Sequence, residues 1–194
     1  GLSKPADLST NRLFTEEFFS LVKTKLNREG ILAFWLPGSL TYISRELSNI
    51  NFSISNALKE SFGYVRVIPG DYNIFLASGS KDVLGVTPGL ISERINQENI
   101  KTNILIPGYL NYRLSKTWLE WFSQATKGAT LEVNRDFKPV AVFQMLKMAN
   151  KKFSPRLSHV MDTLENLDLK PVFLFIFIIR LHLLYFNSAR HIKI

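Results

Sequence analysis

The run Ile31–Leu36 (ILAFWL) constrains the fold more than any other stretch of this chain. Every residue in it is apolar, and Gly30 and Pro37-Gly38 bound it tightly. It is too short for a core helix and carries no polar alternation. It therefore reads as a strand buried on both faces, the kind found in parallel or mixed sheets covered by helices. A helical period leads into it: Leu13, Phe14, Phe18, Leu21, Val22 and Leu26 predict a helix over Asn11–Asn27, with Glu16 and Glu17 in its first turn and Gly30 as a C-terminal cap.

The pattern after the apolar run alternates helix and strand. Ile43, Leu47, Ile50, Ile54, Leu58 and Phe62 predict a helix over Tyr42–Phe62, stopped at Gly63. Tyr64–Ile68 and Asn73–Ser78 read as strands, and Pro69-Gly70-Asp71 between them makes a hairpin. The order loop, helix, strand, helix, strand, turn, strand is that of the C-terminal half of a Rossmann-like, methyltransferase-type α/β sheet. No strand followed by a glycine-rich phosphate cradle precedes it, which predicts that the nucleotide-binding half lies outside this sequence. The first residue is Gly1 rather than Met, in keeping with a partial chain.

The expected organisation has three parts. Residues 1–84 hold the sheet, and 85–168 form a mostly α-helical extension. Residues 169–194 are a hydrophobic segment able to enter a membrane. Gly85–Ser92, with Pro88-Gly89, reads as the linker into the extension. Pro107-Gly108, Lys127-Gly128 and Pro139 punctuate it, Met145–Met148 marks a short apolar helix, and Ser154-Pro155 opens another. Pro171–Phe186 (PVFLFIFIIRLHLLYF) is the greasiest stretch. As a helix it spans roughly 24 Å, short of the roughly 30 Å hydrocarbon core. It reads as the start of a membrane segment, or as a buried helix or strand whose partners lie elsewhere.

The net charge of +8 narrows the partners. The basic residues are scattered and accompany no nucleic-acid motif, so a nucleic acid is not expected. Positive charge beside a membrane segment places the flanking soluble part on the cytoplasmic side. With no cysteine, disulfides and thiolate chemistry are excluded. The three histidines, His159, His182 and His191, have no metal-ligand spacing.

The stretch N-R-L-F-T-E-E-F-F-S-L-V-K-T-K-L-N-R-E-G-I-L (Asn11–Leu32) resembles the spermidine synthase family of polyamine aminopropyltransferases. The likeness continues through Tyr42, Ser61-Phe62, V-R-V-I-P-G (Val65–Gly70) and I-F-L-A-S (Ile74–Ser78). It is similar above all to the branch in which such a domain is fused to membrane helices. P-G-Y-L-N-Y-R-L (Pro107–Leu114), V-N-R-D-F-K-P-V (Val133–Val140) and F-S-P-R-L (Phe153–Leu157) extend that likeness. The resemblance implies a Rossmann-like fold that binds decarboxylated S-adenosylmethionine and transfers its aminopropyl group to a diamine such as putrescine. An ammonium has no lone pair, so the amine must lose a proton, and a loop aspartate serves that need in the family.

This sequence departs from the family at that aspartate. Lys4 falls at its position, and a lysine repels a diamine and is no carboxylate base. Asp7, three residues on, is the candidate catalytic carboxylate after a shift of the loop; its plainer role is a turn former or helix cap. Tyr42, just past the apolar strand, is the candidate substrate-binding residue, or else a core residue with a wet hydroxyl. Asn134 and Asp136 offer either a polar site or a network closing a loop. Trp118 and Trp121 read as packing residues. Glu16 and Glu17 are adjacent on a helix and do not face one another, so paired-carboxylate chemistry is rejected. Two functions follow: a membrane-associated spermidine-synthase-like transferase, or a catalytically inactive scaffold or ligand-binding domain of the same fold.

Overall fold

A computed structural model describes residues 4–150 and 168–191, with side chains up to Leu183. The architecture is mixed α/β, with a three-stranded antiparallel sheet flanked by helices. Strands β1 (Ile31–Pro37), β2 (Tyr64–Ile68) and β3 (Tyr72–Ser78) lie in the order β1-β3-β2. β3 runs antiparallel to both neighbours, so β1 and β2 point the same way. The expected hairpin is present, with Val67 opposite Phe75 and Ile68 opposite Ile74. On the other side of β3, Phe34 faces Phe75, and their rings stack at 5.3 Å.

The apolar run is a strand, but it is not buried on both faces. Leu32, Phe34 and Leu36 face the core, whereas Ile31, Ala33 and Trp35 are exposed. The strand is covered on one side only: α2 (Glu16–Lys25) and α3 (Arg45–Ser61) pack with that face. Phe14, Phe19, Ile50, Ile54 and Leu58 fill the space between helices and sheet, each 1% exposed or less. Among the described residues β1 pairs through one edge only, leaving its outer backbone without a strand partner.

The helix expected over Asn11–Asn27 is broken. α1 (Leu8–Asn11) is capped by Asp7, a 3₁₀ turn covers Arg12–Phe14, and α2 starts afresh after an extended Thr15. Glu16 and Glu17 do occupy the first turn of α2. Gly30 does not cap that helix. α2 ends at Lys25, and Gly30 instead donates its N–H to the Asn27 carbonyl at 2.9 Å, closing a turn into β1. α3 begins at Arg45, where Ser44 accepts the Leu47 N–H at 3.2 Å, so Tyr42 precedes the helix.

Gly85–Ser92 is not a linker. A 3₁₀ turn over Lys81–Gly85 leads directly to α4 (Pro88–Gln97), with Thr87 as its cap and Pro88 at its first position. Proline fits there because the first helical N–H groups have no intrahelical acceptor. α5 (Pro107–Arg113) and α6 (Lys116–Ala125) follow, then α7 (Val140–Asn150). Ala141 and Met145 of α7 sit in the same core as the sheet, with Val133 packed against it.

The segment 133–140 and the residues around α1 hold each other through buried polar groups. The Asn134 side chain donates to Asn11 Oδ1 (3.0 Å) and the Phe14 carbonyl (2.9 Å), and accepts the Ala141 N–H (3.1 Å). Thr15 donates its hydroxyl to Asp136 at 2.8 Å, and Asp136 N–H donates to Glu17 at 3.1 Å. Arg135 forms an ion pair with Glu16. This explains the break before α2: Asn11 and Thr15 are held by a loop more than a hundred residues away.

The last described element, α8 (Leu169–His191), is helical. Its apolar side chains from Val172 to Leu183 are 44–64% exposed. Its base is fixed to the body by Leu169 N–H donating to the Phe137 carbonyl (2.9 Å) and by Phe137 and Phe173 meeting edge to face at 5.7 Å. Among the described residues, no helix is long and apolar enough to cross a membrane. The Ser154-Pro155 helix start and the Phe153–Leu157 motif lie outside the described residues.

Candidate functional site

A broad concavity lies at the carboxyl end of β1, on the face of the sheet away from the core. It consists of two adjoining recesses sharing Trp35, Asp71 and Tyr72. The larger, about 640 Å³, is closed on its far side by Tyr109, Tyr112 and Arg113 of α5. The smaller, about 380 Å³, is bounded by Lys4 and Pro37. Trp35, near the end of β1, and Tyr72, at the start of β3, are diagonal neighbours across the antiparallel pairing and meet edge to face at 4.7 Å. The lining is therefore largely aromatic, with Asp71 shared by both recesses.

The turn that carries Asp71 and Tyr72 is fixed from beneath by a buried amide ladder. Asn51 of α3 donates to the carbonyls of Pro37 (3.1 Å) and Leu47 (2.8 Å). Asn73 donates to Asn51 Oδ1 (3.0 Å) and accepts the Gly70 N–H (3.1 Å). Asn51 and Asn73 are buried, at 1% and 0% exposure. Gly38 N–H donates to the Asp71 carbonyl at 2.8 Å, tying the end of β1 to the same turn. From above, Arg113 donates to the carbonyls of Pro69 and Tyr72. A Cβ at Gly70 would meet that guanidinium, the movable end of a long side chain. Satisfied buried amides of this kind hold a loop in one conformation.

Neither residue proposed from the sequence lines these recesses. Asp7 is exposed and caps α1, accepting the Thr10 N–H (2.8 Å) and hydroxyl (3.0 Å). The Thr10 N–H, followed by the Thr10 hydroxyl, lowers the Asp7 carboxyl below its ordinary range. Such bonds favour the ionised form and make it a poorer proton acceptor. Tyr42 is 74% exposed in the loop before α3, its N–H donating to Ser39 Oγ at 3.2 Å. Lys4, by contrast, does line the smaller recess.

The other singled-out residues are structural in these surroundings. Asn134 and Asp136 close the loop network already described. Trp118 packs edge to face with Tyr112 (5.4 Å) and Trp121 (6.5 Å). Among the described residues there is no group of three or more His, Cys, Asp or Glu side chains placed to hold a metal ion. Asp71, Asn51 and Asn73 were not singled out from the sequence. The one available signal was Asn73 at the head of an otherwise apolar strand, where an amide needs a buried partner.

No protein-family model matches the chain.

Proposed function

We propose that this chain is part of a membrane-associated spermidine-synthase-like protein. Its sheet would be the C-terminal half of a Rossmann-like domain whose activity is aminopropyl transfer from decarboxylated S-adenosylmethionine to a diamine. The observation that carries this reading is the cleft at the carboxyl end of β1, where Asp71 stands beside the Trp35 and Tyr72 rings. Open α/β sheets bind ligands outside the carboxyl ends of their strands. A carboxylate beside aromatic faces attracts an organic cation by charge and by the ring quadrupole. The outer edge of β1, without a strand partner among the described residues, and its exposed Ile31, Ala33 and Trp35 suit a sheet that continues beyond the described strands. An antiparallel strand within an otherwise parallel doubly wound sheet fits the order β1-β3-β2. The co-substrate would be held largely by that missing continuation.

α8 supports the membrane part of the reading. A helix apolar on all sides is stable inside a larger core or in lipid, and here Val172–Leu183 are exposed. Residues 171–186 would enter a membrane, with the soluble body on its cytoplasmic side.

A second reading, a non-catalytic scaffold or ligand-binding domain of the same fold, is favoured by one observation. Lys4 lines the smaller recess of the cleft, and Asp7 is occupied as a helix cap. The deciding experiment titrates putrescine into the chain, read by tryptophan fluorescence in a Trp118→Phe/Trp121→Phe background that leaves Trp35 as the reporter, with and without Lys4→Asp. The transferase reading expects saturable binding that Lys4→Asp tightens about tenfold or more, since it replaces a repelling charge with an attracting one. It also expects no aminopropyl transfer by these residues alone. Absence of diamine binding in both proteins would leave only the scaffold; transfer by the isolated chain would refute the missing co-substrate half.

A further inference from the structure

Resting on the reading of the cleft beside Trp35 as an amine site, we propose that it selects an amine with one cationic nitrogen and an aromatic body, an arylalkylamine, over a short aliphatic diamine. The charges lining the two recesses carry the inference. Asp71, the one carboxylate among them, lines both. Two cations accompany it, Arg113 in the larger recess and Lys4 in the smaller. Among the described residues, none of the three takes part in a salt bridge. The Arg113 guanidinium donates to neutral carbonyls, those of Pro69 and Tyr72, so its charge is not cancelled.

One ammonium is attracted to Asp71, but a second finds no carboxylate. Directed into the larger recess it meets Arg113; directed into the smaller it meets Lys4. Like charges repel, and at a protein surface water and salt screen that repulsion only in part. The second charge of a diamine therefore adds nothing to binding here, whereas a neutral body attached to a single ammonium escapes the penalty.

Size and surface chemistry point the same way. The larger recess, about 640 Å³, falls in the range of roughly 300–1,000 Å³ that encloses drug-sized ligands, and a four-carbon chain leaves most of it to water. Trp35, Tyr72, Tyr109 and Tyr112 line it, each at least 39% exposed and so open to a ligand. An exposed apolar patch rimmed by charge marks a ligand groove. A ligand ring placed there gains buried area and edge-to-face or offset contacts that an aliphatic chain lacks. Its ammonium can lie against a ring face as well as near Asp71. The walls are also set in advance. Arg113 ties α5, which carries Tyr109 and Tyr112, to the turn that carries Tyr72, and walls already in place lower the cost of binding.

The test is calorimetric titration of the full chain with phenethylamine, butylamine and putrescine. Phenethylamine should bind about tenfold tighter than butylamine, which isolates the ring. Butylamine should bind at least as tightly as putrescine, which isolates the second charge. Tyr109→Ser should remove most of the phenethylamine advantage while keeping butylamine binding within about twofold, showing that the cleft is intact. Lys4→Asp supplies a second carboxylate and should tighten putrescine about threefold more than it tightens butylamine. Phenethylamine no tighter than butylamine, or putrescine as tight as phenethylamine, overturns the inference; the second result leaves the diamine reading standing. Binding of none of the three amines removes the amine site itself, and the inference with it.

Discussion

Replacing Asn134 by alanine should be among the most destabilising single changes on this chain. The side chain is fully buried and makes three hydrogen bonds, to the Asn11 amide, the Phe14 carbonyl and the Ala141 N–H. Asn11, Phe14 and Ala141 are themselves 1% exposed or less, so water has little access to the groups left behind. Each stranded buried group costs about 1–3 kcal/mol, and a partial rearrangement recovers some of that, giving a loss of about 3–5 kcal/mol. Against a typical total of about 5–15 kcal/mol, the variant is near the limit of folding. Asn11→Ala should cost less, because Asn134 then keeps its bonds to Phe14 and Ala141. Asn56→Ala provides the contrast: its amide reaches the Thr130 and Glu132 carbonyls at 3.3 and 3.2 Å from a partly exposed position, and about 1 kcal/mol is expected. Urea unfolding monitored by tryptophan fluorescence gives all three values. An Asn134→Ala loss no larger than that of Asn56→Ala would refute the view that this network joins the helical extension to the sheet.

Gly70→Ala should displace Arg113 from the hairpin turn and lower stability by about 1 kcal/mol or less, while the same change in an Arg113→Ala background should be nearly neutral; a double-mutant cycle by urea unfolding measures the coupling. Phe175→Lys, at an exposed apolar position on α8, should weaken partition of the chain into lipid vesicles about tenfold, measured by co-sedimentation. For Asp7, the folded-state pKa is lowered, so its contribution is present above the unfolded-state pKa and lost as pH falls through the folded-state value. Comparing acid unfolding of the wild type and Asp7→Ala should show the difference closing at low pH; a difference that grows as pH falls would contradict the capping role.

The parts of the fold legible in the sequence were those written in local pattern. Ile31–Leu36, Tyr64–Ile68 and Asn73–Ser78 announce strands by apolar runs and turn chemistry, and all three are present. What failed locally was decided at a distance. The break before Thr15 depends on Asn134 and Asp136, which no window around residue 15 contains. Pro88-Gly89 looked like a linker because proline and glycine usually end structure; with Thr87 as a cap they begin it. Ile31, Ala33 and Trp35 are apolar yet exposed, a fact composition alone cannot distinguish from burial. The cleft beside Trp35 was missed for a similar reason. Asp71 reads as an ordinary turn residue, and only the β1–β3 register brings Trp35 and Tyr72 to its side.

The unpaired side of β1 has a consequence for how the molecule behaves in solution. Among the described residues, the outward N–H and C=O groups on alternate residues of this strand have no strand partner; flanked by Ile31, Ala33 and Trp35 and guarded by no lysine, they are a template for adding one more strand. Proteins commonly blunt such rows with charge, a bulge or a covering loop. Where that protection is missing, self-association grows with concentration, and solubility becomes a property of whatever polypeptide lies alongside.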